Sequence, residues 1–167
     1  MRILVTAASK HGATTEIAEA IGSTLVEAGA DAEVLAPEAV DDLAGYDAVV
    51  LGSAVYAGRW LEPARQFAER FRGTLAQCPV WLFSSGPIGE PPKPEEDPVD
   101  VADLRAATGA RAHVVFAGKL DRGELGFGEK AIVLALRAPE GDFRDWDAIR
   151  DWARGVARDL EGEGATG

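Results

Sequence analysis

The first stretch of the chain able to do chemistry is Ser9-Lys10-His11-Gly12-Ala13-Thr14. It stands between an apolar run, Arg2–Thr6, and a helical pattern set by Ile17, Ala18, Ile21 and Leu25. A strand that turns tightly into a helix N-terminus presents backbone N–H groups without partners and the positive end of the helix dipole. Together these bind phosphate. The same kind of turn also occurs as plain helix capping, so a second signal is needed. Two further stretches supply it. Gly52-Ser-Ala-Val-Tyr-Ala-Gly-Arg-Trp60 follows a buried apolar run and carries two aromatics, and Ser84-Ser-Gly-Pro-Ile-Gly89 follows the next such run. Open parallel sheets bind ligands outside the carboxyl ends of their strands, and all three loops fall at such ends.

Other chemistries lack their residues. No Gly-x-Ser-x-Gly elbow surrounds Ser84 or Ser85, and neither a Gly-x-Gly-x-x-Gly nor a Walker loop follows the first strand. A phosphoacceptor site there would need carboxylates where Thr6-Ala7-Ala8 stand. His11 and His113 are too few for a metal site, and His113 reads as a packing residue. No side chain is expected to act as a catalytic acid or base. With Cys78 as its one cysteine the chain forms no internal disulfide, and a cytoplasmic location is expected. The formal net charge of −11 argues against a nucleic-acid partner and suits either solubility or a basic protein partner. No apolar run is long enough to cross a bilayer.

The elements that must position these loops alternate along the chain. Strands are expected at Arg2–Thr6, Ala32–Leu35, Asp47–Leu51, Val80–Phe83 and His113–Ala117. Helices are expected at Thr14–Ala28, closed by Gly29; over the pattern Leu61 to Leu75; at Asp100–Thr108, closed by Gly109; and after Asp145 as N-cap, with Ile149, Trp152, Val156 and Leu160 on its apolar face. Such βα alternation predicts an α/β fold with a parallel sheet covered on both faces. Five prolines make 87–98 a loop. Residues 1–161 are expected to form one domain, with a flexible tail at 162–167.

On these residues the chain resembles the flavodoxin-like family. The phosphate loop of that family reads Ser/Thr-x-Thr-Gly-x-Thr; here Ser9, Gly12 and Thr14 match, and His11 replaces a threonine. The resemblance implies a three-layer αβα sandwich with a five-stranded parallel sheet in the order 2-1-3-4-5, and FMN as cofactor. It assigns the phosphate to Ser9, Lys10, His11, Gly12, Ala13 and Thr14. Hydroxyls and backbone N–H groups would ring the anion, and Gly12 would allow close approach. It assigns the isoalloxazine ring to Ala54, Val55, Tyr56, Ala57, Gly58 and Trp60 on one side, and to Ser84, Ser85, Gly86, Pro87 and Gly89 on the other. The redox step would then belong to the flavin, with the protein setting its surroundings.

A narrower likeness is to menaquinone-dependent protoporphyrinogen oxidases and their flavodoxin-domain relatives. Its marks are Lys10-His11 before the loop glycine, Ala117-Gly118-Lys119-Leu120 after the last strand, an insert of about 118–143 containing Gly126–Arg137, and Asp145-Trp146-Asp147 opening the final helix. In the oxidases the insert is rich in basic and aromatic residues. Here 121–130 is shorter, balanced in charge, and has the single aromatic Phe127. The apolar stretch Ala131–Leu136 reads first as a cover for the sheet edge, and second as a surface for a quinone or bilayer through 126–137. Three functions follow as expectations. One is an FMN oxidoreductase passing electrons from a reduced, porphyrinogen-type substrate to a quinone-like acceptor. Another is a flavodoxin-like electron carrier docking basic redox proteins. The third is a flavin-free module of the same fold that acts through protein contacts.

Overall fold

The computed structural model describes residues 1–9, 12–56, 59–85, 101–116, 119–120, 141–142 and 144–166. Strands β1 (Arg2–Ala8), β2 (Asp31–Leu35), β3 (Ala48–Tyr56), β5 (Val80–Ser85) and β6 (Ala112–Phe116) form a parallel sheet in the order β2-β1-β3-β5-β6. Counting these five strands alone, this is the expected 2-1-3-4-5. A two-residue strand, β4 (Arg59–Trp60), adds a sixth member by folding back antiparallel on β3.

The sheet is apolar on both faces because alternate side chains of each strand point opposite ways. Ile3, Val5, Val50 and Phe83 pack against Ile17, Ile21 and Leu25 of helix α1 (Ala13–Glu27) and against Ile149, Ala153, Val156 and Leu160 of helix α5 (Trp146–Thr166). Leu4, Val49, Leu51 and Leu82 face the other way. They meet Ala64 and Phe67 of α2 (Glu62–Arg70), Leu75 of α3 (Arg72–Leu75) and Leu104 of α4 (Val101–Thr108). Each fully buried aliphatic side chain stabilises the fold by about 1.5–3 kcal/mol relative to exposure, so the two layers fix which helix covers which face.

Helix ends follow their residues. Gly29 and Gly109 adopt φ of +101° and +65° just past α1 and α4, conformations open to glycine at little cost. At the start of α5 the Asp145 carboxylate accepts the Ala148 N–H at 3.0 Å, as expected of an N-cap.

Three features differ from the sequence expectation. The helix expected through Leu75 breaks at Phe71 (φ −107°, ψ 18°) into α2 and α3. There Arg70 leaves the helix line to donate to the carbonyls of Pro37 and Val40 at 3.1 and 2.9 Å. Strands β1, β3 and β5 run on into the small residues assigned to loops, reaching Ala8, Tyr56 and Ser85. Helix α5 continues through Thr166, past the glycine-rich point where it was expected to end. Of the insert, only its two ends are described: β7 (Lys119–Leu120) pairs antiparallel with β8 (Gly141–Asp142). Gly126–Arg137 lies outside the described residues. No helix among the described residues is long and apolar enough to cross a membrane.

Thr6, in the middle of β1, is fully buried, and its Oγ1 is without a hydrogen-bond partner among the described residues. A buried hydroxyl left unpaired costs about 1–3 kcal/mol, and valine has nearly the same shape. Thr6→Val is therefore expected to stabilise the protein by about 1 kcal/mol, raising its melting temperature by roughly 2–4 °C. A lower urea midpoint in the variant would show that the hydroxyl is satisfied.

Candidate functional site

The strand register brings the three loops together. Ala8 lies beside Ser53, Ser53 beside Ser84, Ala54 beside Ser85, and Ser85 beside Phe116. The carboxyl ends of β1, β3 and β5 thus share one row, at the sheet edge where the loops leave.

Gly12 is the N-cap of α1, with φ +88° and ψ −13°, and no side chain among the described residues caps the helix there. Its N–H donates to Ser9 Oγ at 3.0 Å, which closes the turn on itself. A Cβ built at Gly12 would meet nothing within 4 Å among the described residues. The left-handed backbone and the open space together leave the first turn of α1 accessible to a ligand that approaches the main chain. Thr14, inside that first turn, is buried. Lys10 and His11 lie outside the described residues.

The second stretch is a hairpin rather than an open loop. Val55 pairs with Trp60 and Tyr56 with Arg59; Ala57 and Gly58 lie outside the described residues. Ser53 holds the base: its hydroxyl donates to the Ala54 carbonyl at 2.8 Å and accepts the Leu61 N–H at 2.9 Å, where α2 begins. Arg65 Nε adds a bond to the Trp60 carbonyl at 3.2 Å. Trp60 itself is a core residue, 1% exposed, in the layer with Phe67 and Leu82. The sequence assigned its indole to a ligand face; the structure turns it inward, because its Nε1–H donates to Ser84 Oγ at 2.8 Å. Ser84 Oγ also lies 2.7 Å from His113 Nε2. Indole, hydroxyl and imidazole thereby tie the hairpin, β5 and β6 into one polar chain, buried at Trp60 and Ser84 and half-buried at His113.

Ala54 and Val55 are part-exposed on the hairpin, and Ser84 and Ser85 are buried at the end of β5. Gly86, Pro87 and Gly89 lie outside the described residues. Two residues near the loops escaped sequence reasoning. His113 reads from the sequence as a packing residue, and its strand position gives no sign that Ser84 stands beside it. Arg144 carries no signal in the sequence, although its guanidinium reaches the first turn of α1, donating to the Ala13 carbonyl at 3.3 Å.

Alternative chemistry finds little support. No group of three or more His, Cys, Asp or Glu among the described residues is placed to hold a metal. Burial pushes the Cys78 thiol up, away from the thiolate a nucleophile needs. Tyr46 is pushed up by burial and by its bond to Glu33, but it belongs to a cluster with Arg2 at the amino end of β1, across the sheet from the loops.

The fold has many solved counterparts. A flavodoxin from the domain Archaea superposes with a TM-score of 0.66 at 19% identity, covering 96% of this chain and 99% of its own. Two-electron reduced Megasphaera elsdenii flavodoxin gives 0.61 at 19% identity, over 93% and 98% of the two chains. Rubredoxin oxygen:oxidoreductase from Desulfovibrio gigas gives 0.69 at 14% identity; 98% of this chain matches 37% of that larger one. No curated protein sequence matches the chain. The family model described as flavodoxin domain matches residues 4–147, which span the Gly12 turn, the hairpin and the insert, and so the chain belongs to the flavodoxin domain family.

Proposed function

We propose that the protein is an FMN-binding electron-transfer protein. The observation that carries this reading is the open, left-handed Gly12 at the N-terminus of α1, on the sheet edge where β1, β3 and β5 end together. Ser9, Lys10, His11, Gly12, Ala13 and Thr14 would hold the phosphate. Ala54, Val55, Tyr56, Ala57 and Gly58 would flank the ring on one side, and Ser84, Ser85, Gly86, Pro87 and Gly89 on the other. Trp60 would support the hairpin from below instead of touching the ring. Bound FMN would supply the capacity to take up and release one or two electrons. Ser9 Oγ accepts the Gly12 N–H, so its own hydroxyl proton can be donated outward to an anion. Ser53 and the Trp60–Ser84–His113 chain keep the two ring loops at a fixed spacing.

As a carrier, with a net charge of −11, the protein would dock basic redox proteins in a cytoplasmic setting. A second reading, an oxidoreductase delivering electrons to a quinone-like acceptor from a porphyrinogen-type substrate, rests on the insert, whose ends meet in β7 and β8 just before Asp145-Trp146-Asp147.

An absorption spectrum of the purified protein, before and after adding FMN and then dithionite in steps, tests the proposal. Shifted flavin bands with quenched fluorescence are expected. Reduction in two separated one-electron stages would favour the carrier. Passage straight to the two-electron form, with turnover of a soluble quinone in the absence of any protein partner, would favour the oxidoreductase. No flavin bound in excess FMN would overturn both and leave a flavin-free module.

A further inference from the structure

Arg59 stands on β4, opposite Tyr56 in the antiparallel register, and its side chain is exposed. Its neighbour Trp60 turns into the core, so alternation along the strand sends Arg59 out of the opposite face of the hairpin. The strand that carries it is pinned: the Trp60 indole bonds Ser84, and the Trp60 carbonyl accepts from Arg65. Ala54 lies in the row of strand ends beside Ser85, and Tyr56 follows it on β3, so Arg59 stands roughly 7 Å past that row. Among the described residues no ion pair, hydrogen bond or ring contact engages its guanidinium. Arg2, Arg72, Arg150 and Arg154 each stand beside a carboxylate. Arg105 and Arg158 are unpaired too, but they are exposed along helices α4 and α5 and not on the hairpin.

A guanidinium presents a planar fork of donors that matches a carboxylate. In a chain with 28 acidic against 17 basic side chains, an uncompensated cation at the rim of the site gives that rim a sign opposite to the whole. The range of the two fields decides which anion it can hold. At physiological salt an exposed charge is felt over about 8 Å. A small molecule at the strand ends comes within that range of Arg59. An acidic protein would spread over a far larger area and meet the net charge of −11 as well. Glu62, the acidic residue nearest Arg59 in sequence, has its Oε1 engaged by Gln66 Nε2 at 3.0 Å along α2. Resting on the FMN reading above, we propose that Arg59 is a specificity-determining residue. It selects, as the small molecule that exchanges electrons at this site, one that carries a carboxylate. Strand pairing orders the backbone beneath the cation before any ligand arrives, so the contact costs only the freedom of the side chain.

The test is equilibrium binding of a naphthoquinone carboxylate and of its methyl ester to the oxidised, FMN-loaded full chain, followed by titration calorimetry. With both partners oxidised, no turnover enters the measurement. The parent is expected to bind the carboxylate about fivefold to tenfold more tightly than the ester, and high salt should shrink that preference. Arg59→Gln should erase it, and Arg59→Glu should reverse it by about threefold. Arg59→Lys, a point charge without the fork, should keep about a twofold preference. Arg72→Gln removes the same charge from α3 and should leave the preference as in the parent. Since the Arg59 side chain is exposed, its variants should melt within about 2 °C of the parent. A preference that survives Arg59→Gln, or that falls as far in Arg72→Gln, would overturn the inference. So would a parent that binds FMN but holds carboxylate and ester alike, a result that leaves the FMN reading intact. An oligoglutamate peptide bound through Arg59 more tightly than the carboxylate would assign the cation to an acidic protein and also overturn it. A parent that binds no FMN would overturn the reading on which the inference rests.

Discussion

Gly52→Ala is expected to destabilise the protein by about 3 kcal/mol, lowering its melting temperature by roughly 6–12 °C. An added Cβ would stand 2.2 Å from Phe83 Cζ and 2.3 and 2.5 Å from its two Cε atoms. Gly52 and Phe83 are direct partners on β3 and β5, and the ring lies across the glycine. The ring has little room to withdraw. It is fully buried, with Phe116 and Trp152 tilted against it at centroid distances of 6.1 and 6.3 Å, and these two meet each other edge-on at 5.8 Å. A single methyl therefore has to displace either an aromatic trio or the sheet itself. Urea unfolding of Gly52→Ala, Phe83→Leu and the double variant separates this account from a plain loss of strand propensity. Removing the ring should make the alanine cheap, so the double variant should be more stable than the sum of the singles by about 1 kcal/mol or more. Additive singles, or a Gly52→Ala variant within about 0.5 kcal/mol of the parent, would show that the ring yields freely.

The same glycine explains where the sequence was legible and where it was not. Valine-rich runs such as Asp47–Leu51 announce a strand buried on both faces, and the order of strands and helices follows from their alternation. Gly52-Ser53-Ala54 reads locally as the start of a loop. It is strand because Phe83 covers the glycine from the neighbouring strand and Ser53 bonds the backbone at Leu61, facts of register that no local pattern encodes. The burial of Trp60 is hidden in the sequence for a related reason. An aromatic in a loop between two strands invites a ligand, but here the partner of its indole N–H is the Ser84 hydroxyl, 24 residues further along the chain. Arg144 is the extreme case. Its partner Ala13 is 131 residues away, and a lone arginine before an Asp-Trp-Asp gives no hint of α1. The turn at Gly12 is readable because strand, glycine and helix follow one another directly; what surrounds it depends on contacts between distant segments.

Gly12→Val is expected to weaken FMN binding about a hundredfold, the effect of losing a pair of charge-assisted contacts to the phosphate. Two causes act together at this residue. A β-branched side chain at φ +88° is strained, at a cost of about 1–2 kcal/mol, and the turn can escape only by moving the Gly12 N–H from Ser9 Oγ. The valine methyls would also occupy the space that is open in front of the helix end. Gly12→Asn separates the two causes, because asparagine visits the left-handed region with less strain but still fills that space. If close approach of the phosphate is what Gly12 permits, both variants lose FMN affinity while riboflavin affinity changes little. If only the backbone shape matters, asparagine retains FMN and valine alone loses it. Unchanged FMN affinity in Gly12→Val, measured by fluorescence titration of the flavin-stripped protein, would remove the phosphate from this turn. The comparison also bears on the choice of anion site over plain capping: a turn that merely starts a helix would gain stability from an asparagine N-cap and show no dependence on the ligand's phosphate.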